Sequence, residues 1–358
     1  MSYNHSPFVR RVLLVLAAAL GTVAVSYGVA QAQQSAGPAL NPRHPERYVV
    51  QRGDTLWDIA AMFLRDPWYW PEIWQINPQI ENPHLIYPGD VLSLTYVDGR
   101  PLLQVERAAN VERLSPRVRV EPLEEAIPTI PYEAVGAFLT RSMILDPDAL
   151  ETLPYVVAPR DALMGSAGRD VYVRRADTAP VDSVFNVVHV GEPLVDPDDG
   201  ETLGYEAIVV AQGRLTRAGD PATLRLNQSS RETLVGDYLV EDEAPPRLDF
   251  IPRAPEQPID GRIISVIDGV RIIGQYQVVI INRGARDGLE PGHVLRAFKG
   301  GEVIRDRVGR RSGFGEKVRL PDEPAGIMMV FRTFDRVSYA LIMEATSEIR
   351  VLDPVRNP

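Results

Sequence analysis

Apolar positions recur along this chain with three spacings, and each predicts a different element. An apolar core begins at Val12-Leu13-Leu14-Val15-Leu16 behind Arg10 and Arg11 and runs to about Val25, with a loosely apolar stretch to Ala30 and the triplet Ala30-Gln31-Ala32 after it. That order of basic, apolar and small residues predicts a secretory leader over 1–32, with cleavage after the A-x-A triplet. An uncleaved inner-membrane anchor is the alternative, because the stretch approaches spanning length. Residues 33–47 carry Pro38, Pro42 and Pro45 and read as a linker. The second spacing is helical: Leu56, Trp57, Ile59, Ala60 and Phe63 line one face, with Asp54 or Thr55 positioned to cap it. Asp66-Pro67 breaks that helix. Trp70-Pro71-Glu72 starts a second, with Ile73, Trp74 and Ile76 at its inner face and Asn77-Pro78 as its stop. Alternating segments at Tyr48–Gln51 and Val91–Leu94 flank the pair, so residues 48–94 predict a small βααβ unit.

The third spacing is that of strands. Residues 95–131 are rich in Pro, Glu and Arg and read as a connector, with Val118-Arg119-Val120 as one strand. Tyr132–Leu150 predicts a helix with a partly apolar stripe at Ala134, Ala137, Phe138, Arg141 and Ile144. Short β-type runs separated by turn residues fill 151–242, including the Pro197-Asp198-Asp199-Gly200 turn. The helix and these strands make a first β domain over 132–242, and the Pro-rich stretch 243–260 separates it from a second over 261–353. In the second, Ile327–Phe331 and Ser338–Met343 are expected to pair as a hairpin, and the Gly- and charge-rich 299–323 to form a mobile loop. Pro88-Gly89-Asp90-Val91-Leu92, Val235-Gly236-Asp237-Tyr238-Leu239 and Pro291-Gly292-His293-Val294-Leu295 share one frame, a turn feeding a strand. The expected fold is therefore multi-domain, a small α+β module followed by two mainly-β domains compatible with small barrels.

Composition narrows the function. The formal charge is −10 over 358 residues, which argues against a nucleic-acid partner. The chain has no cysteine, so disulfides, thiolate metal sites, cysteine nucleophiles and lipoprotein attachment are excluded. His5, His44, His84, His189 and His293 stand singly, with no metal-binding spacing among them. There is no G-x-S-x-G elbow and no phosphate loop, and Glu124-Glu125 and Asp198-Asp199 read as solvated linker and turn carboxylates. No catalytic residue, metal ligand or cofactor is predicted. A carboxylate pair assembled from distant strands, as glycosidases use, stays open.

The opening YVVQRGDTLWDIA, the central INP and the closing IYPGDVLSL of 48–94 resemble a LysM module, the βααβ domain that binds N-acetylglucosamine-containing glycans such as peptidoglycan. The resemblance implies a sugar groove between two loops, with Gly53, Asp54, Thr55 and Leu56 on one side and Leu85, Ile86 and Tyr87 on the other. Local chemistry gives several of these residues a structural reading as well: Gly53 for its turn, Asp54 or Thr55 as cap, Leu56 and Ile86 as core. The bridge Asp66-Pro67-Trp68-Tyr69-Trp70-Pro71-Glu72 is bulkier and more aromatic than the family pattern. It forms either an extended binding surface or, the favoured reading, a stiffening aromatic cluster. With the leader, the resemblance implies a periplasmic, non-catalytic peptidoglycan-binding protein with no stable membrane span after cleavage. Two alternatives accompany it: a cell-wall hydrolase with its site in 151–353, and an envelope assembly factor whose module contacts protein.

Overall fold

The computed structural model describes residues 38–74, 86–97, 99–106, 126–160, 163–242, 250–267, 272–306 and 316–358. The expected leader and the strand at 118–120 lie outside them. The N-terminal unit contains β1 (Arg47–Val49), α1 (Leu56–Phe63), a 3-10 turn (Pro67–Tyr69), α2 (Trp70–Ile73), β2 (Val91–Val97) and β3 (Arg100–Glu106). The sheet runs β1-β2-β3, all antiparallel, so the connector expected from residue 95 is strand through 106. The third strand has a physical reason: it buries Leu103 completely beside Leu92, enlarging a core that two strands alone would leave marginal. Trp74 bridges to Leu103 directly after α2. The expected linker also packs from residue 39 onward. The N–H of Asn41 and its side-chain amide donate to the carbonyls of Phe63 and Ala61, groups left without partners at the end of α1.

The middle unit contains α3 (Tyr132–Thr140), β4 (Ser142–Leu145), α4 (Pro147–Thr152), β5 (Tyr155–Pro159), β6 (Asp170–Arg174), β7 (Val184–Val195), β8 (Thr202–Arg217), β9 (Ala222–Ser229) and β10 (Tyr238–Glu241). The single helix expected over 132–150 is thus a helix, a strand and a helix. Ser142–Leu145 finds a free edge of β8, and Pro147, excluded from a helix interior, starts a new helix instead. The strand order is β4-β8-β7-β10-β5-β6-β9, and β8 also pairs with β9, which joins the far end of the order back to β8. Val156, Val171, Val173, Val187, Leu224 and Leu239 fill the interior.

The C-terminal unit contains β11 (Asp260–Val266), β12 (Val278–Ile281), β13 (Val294–Lys299), β14 (Val303–Asp306), β15 (Glu316–Arg319), β16 (Glu323–Thr333), β17 (Ser338–Ala345) and β18 (Pro354–Arg356). Six of these strands close a barrel in the order β11-β12-β17-β16-β13-β18, and β16 pairs with β17 as the hairpin pattern predicts. The stretch 299–323, expected to be a loop, holds the β14–β15 hairpin instead. Cross-strand Ile304 and Val318 are β-branched partners, and the N–H of Gly301 on the Asp322 carboxylate ties its base.

Strands β12, β16 and β17 read as continuous apolar runs because both of their faces are covered. Val279, Ile281, Met328, Val330, Ala340 and Ile342 point into the barrel. Val278, Ile280, Met329, Phe331, Tyr339 and Leu341 belong to a second cluster outside it. That cluster also contains Trp57 and Trp68 of the first unit, Ile130, Val135 and Leu139 around α3, and Leu194 and Leu203 of the middle unit. The barrel is therefore the hub. The β7–β8 turn docks on it through polar contacts: Asn282 donates to Asp196 at 3.0 Å, Arg262 to Asp198 at 3.0 Å, and Arg336 pairs with Glu201. Asp198, expected to be merely solvated, is thus part of a junction.

The repeated sequence frame corresponds to one repeated turn. Gly89, Gly236 and Gly292 have φ of 94°, 94° and 93°, a region glycine enters without a Cβ penalty. The next side chain, Asp90, Asp237 or His293, accepts from the backbone N–H three residues earlier. In the third copy the acceptor is His293 Nδ1, so the ring must be neutral there. Burial, then nearby Arg253, holds this imidazole below the ordinary histidine value, against the opposing pull of Glu290 and Glu256. A histidine with a depressed folded pKa contributes stability above its unfolded value of about 6.5 and loses it as pH falls through and below that value. Calorimetric Tm should therefore drop between pH 7 and 5 more steeply in the parent than in His293→Asp, which keeps an acceptor as in the other two copies. Parallel curves would refute this.

Candidate functional site

Two loops of the first unit converge on one short segment, residues 127–129, through backbone hydrogen bonds, and the site implied by the family resemblance is the groove between them. Gly53 has φ of 99° and open space around its missing side chain, so the turn needs its backbone freedom. Asp54 Oδ2 accepts from the Gln51 N–H and from the Tyr48 hydroxyl, both at 2.8 Å. Burial and then the Asp54 hydrogen bond push the Tyr48 phenol up to about 12. Thr55 is buried and caps α1: its Oγ1 accepts from the Asp58 N–H at 3.1 Å and donates to the Asp58 carboxylate at 2.7 Å. The side chains of Asp54 and Thr55 are thereby engaged in holding the loop. Leu56 is buried in the core of the unit.

On the second loop Ile86 is fully buried, and the Tyr87 N–H donates to Asp90 Oδ2 at 3.0 Å. Leu85 lies outside the described residues. The groups that the two loops turn toward residues 127–129 are backbone: the N–H groups of Leu56 and Trp57, the first two of α1, and the carbonyl of Ile86. The cap of Thr55 serves the third residue of the helix and leaves those first two donors for another partner. Such a set of donors and an acceptor suits amides, the group that distinguishes N-acetylated sugars from plain ones.

The aromatic bridge is not an exposed platform. Trp70 lies against Trp74, ring centroids 4.6 Å apart and planes tilted by 30°, within the core of the unit, and Trp68 and Trp57 are buried in the cluster shared with the barrel. Tyr69 alone of the bridge aromatics is exposed. Three participants escaped sequence reasoning. Asp58 completes the cap with Thr55, and the T-x-x-D spacing carries a capping-box signal. Tyr276 of the barrel donates to Asp58 at 3.3 Å, a contact no local pattern announces. Backbone groups of residues 127–129 also meet the groove. Among the described residues, no group of three or more His, Cys, Asp or Glu side chains could hold a metal ion.

These features define a LysM domain, and residues 48–95 match that family. Its members bind glycans of the peptidoglycan and chitin type and are typically extracellular or cell-wall associated. Among curated proteins, the "Uncharacterized protein YqbP" of Bacillus subtilis (strain 168) is 38% identical over 60 residues, covering 14% of this chain and 27% of YqbP. The chain thus spans about a quarter of that relative's length. No helix among the described residues is long and apolar enough to cross a membrane.

Proposed function

We propose that the chain is a non-catalytic peptidoglycan-binding protein of the cell envelope, exported to the periplasm, whose β domains serve as a scaffold for protein contacts. The observation that carries this reading is the meeting of Gly53–Leu56 with Ile86–Tyr87, where the Leu56 and Trp57 N–H groups and the Ile86 carbonyl are directed at one occupant. An N-acetyl group supplies the matching carbonyl and N–H. In this reading Gly53, Asp54 and Thr55 shape the first loop, Leu56 supplies a donor, Ile86 an acceptor and Tyr87 the second wall; Leu85 joins the contacts on the family pattern alone. A second reading, a module that contacts protein, is favoured by one fact: the groove's partner in this structure is peptide.

Co-sedimentation with purified, insoluble peptidoglycan tests the proposal, using the full chain and a chain lacking 48–95. Retention is expected to depend on the module and to be competed by soluble N-acetylglucosamine oligomers. Equal retention of both chains would place binding elsewhere and sink the reading.

A further inference from the structure

The groove is occupied from within. The Ile127 N–H donates to the Ile86 carbonyl at 2.8 Å, the Leu56 N–H to the Pro128 carbonyl at 3.0 Å, and the Trp57 N–H to the Thr129 carbonyl at 3.2 Å. Three consecutive residues thus span both loops and take the backbone groups left at the start of α1. We propose that residues 126–131 are a built-in strap that closes the glycan groove, and that an N-acetylated glycan enters by displacing it. This rests on the glycan reading of the same groove.

The sequence of the strap, Ala126-Ile127-Pro128-Thr129-Ile130-Pro131, is suited to the task. Ile127 and Ile130 each precede a proline, which biases both toward extended backbone and lowers the entropy lost on docking. Proline at 128 has no N–H, so only its carbonyl takes part at the centre of the groove. The ends are anchored in different places. Ile127 packs against the core of the module, whereas Ile130 is fully buried in the cluster shared with the barrel. The Thr129 hydroxyl donates to the Phe250 carbonyl at 3.0 Å, and α3 follows directly, with the Ala134 N–H on the Pro131 carbonyl.

The strap therefore joins groove, barrel and middle unit in one short segment. A ligand that takes over the amides of Leu56 and Trp57 removes one of the ties between the module and the barrel. Binding and the module–barrel junction are thereby coupled, and the coupling is reciprocal.

Hydrogen exchange on the unmodified full chain tests the strap without any substitution. Saturation with N-acetylglucosamine oligomers should speed exchange at the Ile127 N–H at least tenfold while leaving the Leu56 and Trp57 N–H groups protected, now by sugar. Oligomer binding with Ile127 still protected would overturn the proposal. The second arm uses Ile127→Pro, which deletes one donor of the strap. Faster exchange at Leu56 and Trp57 verifies that the groove has opened, and the variant should then bind the oligomers at least tenfold more tightly than the parent. Equal affinities would overturn the strap alone and leave the glycan reading standing. Absence of binding by both chains, with the groove shown to be open in the variant, would remove the glycan reading and the gate with it.

Discussion

Replacing Trp68 by alanine should lower the unfolding free energy by about 3–5 kcal/mol, the range for truncating a large buried aromatic. The side chain is only 5% exposed, and it is buried among residues of the barrel's outer face rather than in the core of its own module. The loss should therefore appear as weakened coupling: guanidinium denaturation, expected to be a single transition in the parent, should split as the module melts ahead of the barrel. Trp70→Ala is the informative contrast. Trp70 is fully buried against Trp74 inside the module, so its truncation should melt the module and leave the barrel transition in place. A Trp68→Ala midpoint within experimental error of the parent would mean that the shared cluster does not hold the two units together.

Gly326→Ala should be among the most damaging small substitutions in the barrel. A Cβ there would sit 2.3 Å from the Glu344 carbonyl oxygen and 2.8 Å from Ile349 Cδ1. The nearer atom is backbone of the neighbouring strand, so no side-chain rotation relieves the clash. Gly326 pairs with Ala345 beside a register shift, and a strand in a closed barrel cannot move away without disturbing the next pairing. Overpacking of this kind costs about 1–3 kcal/mol, occasionally more. Thermal unfolding monitored by circular dichroism measures it, and an unchanged Tm would show that the β16–β17 ladder relaxes freely at this point.

What could be read in advance was whatever local chemistry decides. Helix α1 carries its inner face, a cap at Asp54 or Thr55 and a break at Asp66-Pro67 within about a dozen residues; the structure buries that face, gives the cap to Thr55 and ends the helix at Phe63, ahead of the break. The β16–β17 hairpin was legible because two β-rich runs lie close together. Strand β3 was missed although Asp98-Gly99 is a strong two-residue turn signal; Pro101 and the surrounding charge obscured the alternation. The apolar residues of Ser142–Leu145 fit either period, and only the waiting edge of β8 decides for a strand. For the groove, the loops were legible and their occupant was not. A Pro-rich connector far along the chain gives no local sign of where it docks, and the burial of Trp57 and Trp68 depends on a barrel almost two hundred residues away.

The short strand β18 has a consequence for the order in which the chain can fold. It lies between β11 and β13, and residues 354–356 supply the ladder partners of both. During synthesis from the N-terminus the barrel stays an open sheet until those residues have emerged. Its two open edges, β11 and β13, are then free to pair with another chain. The last strand to be made is thus the one that removes both edges, and the barrel's exposure to mispairing lasts only as long as β18 takes to insert.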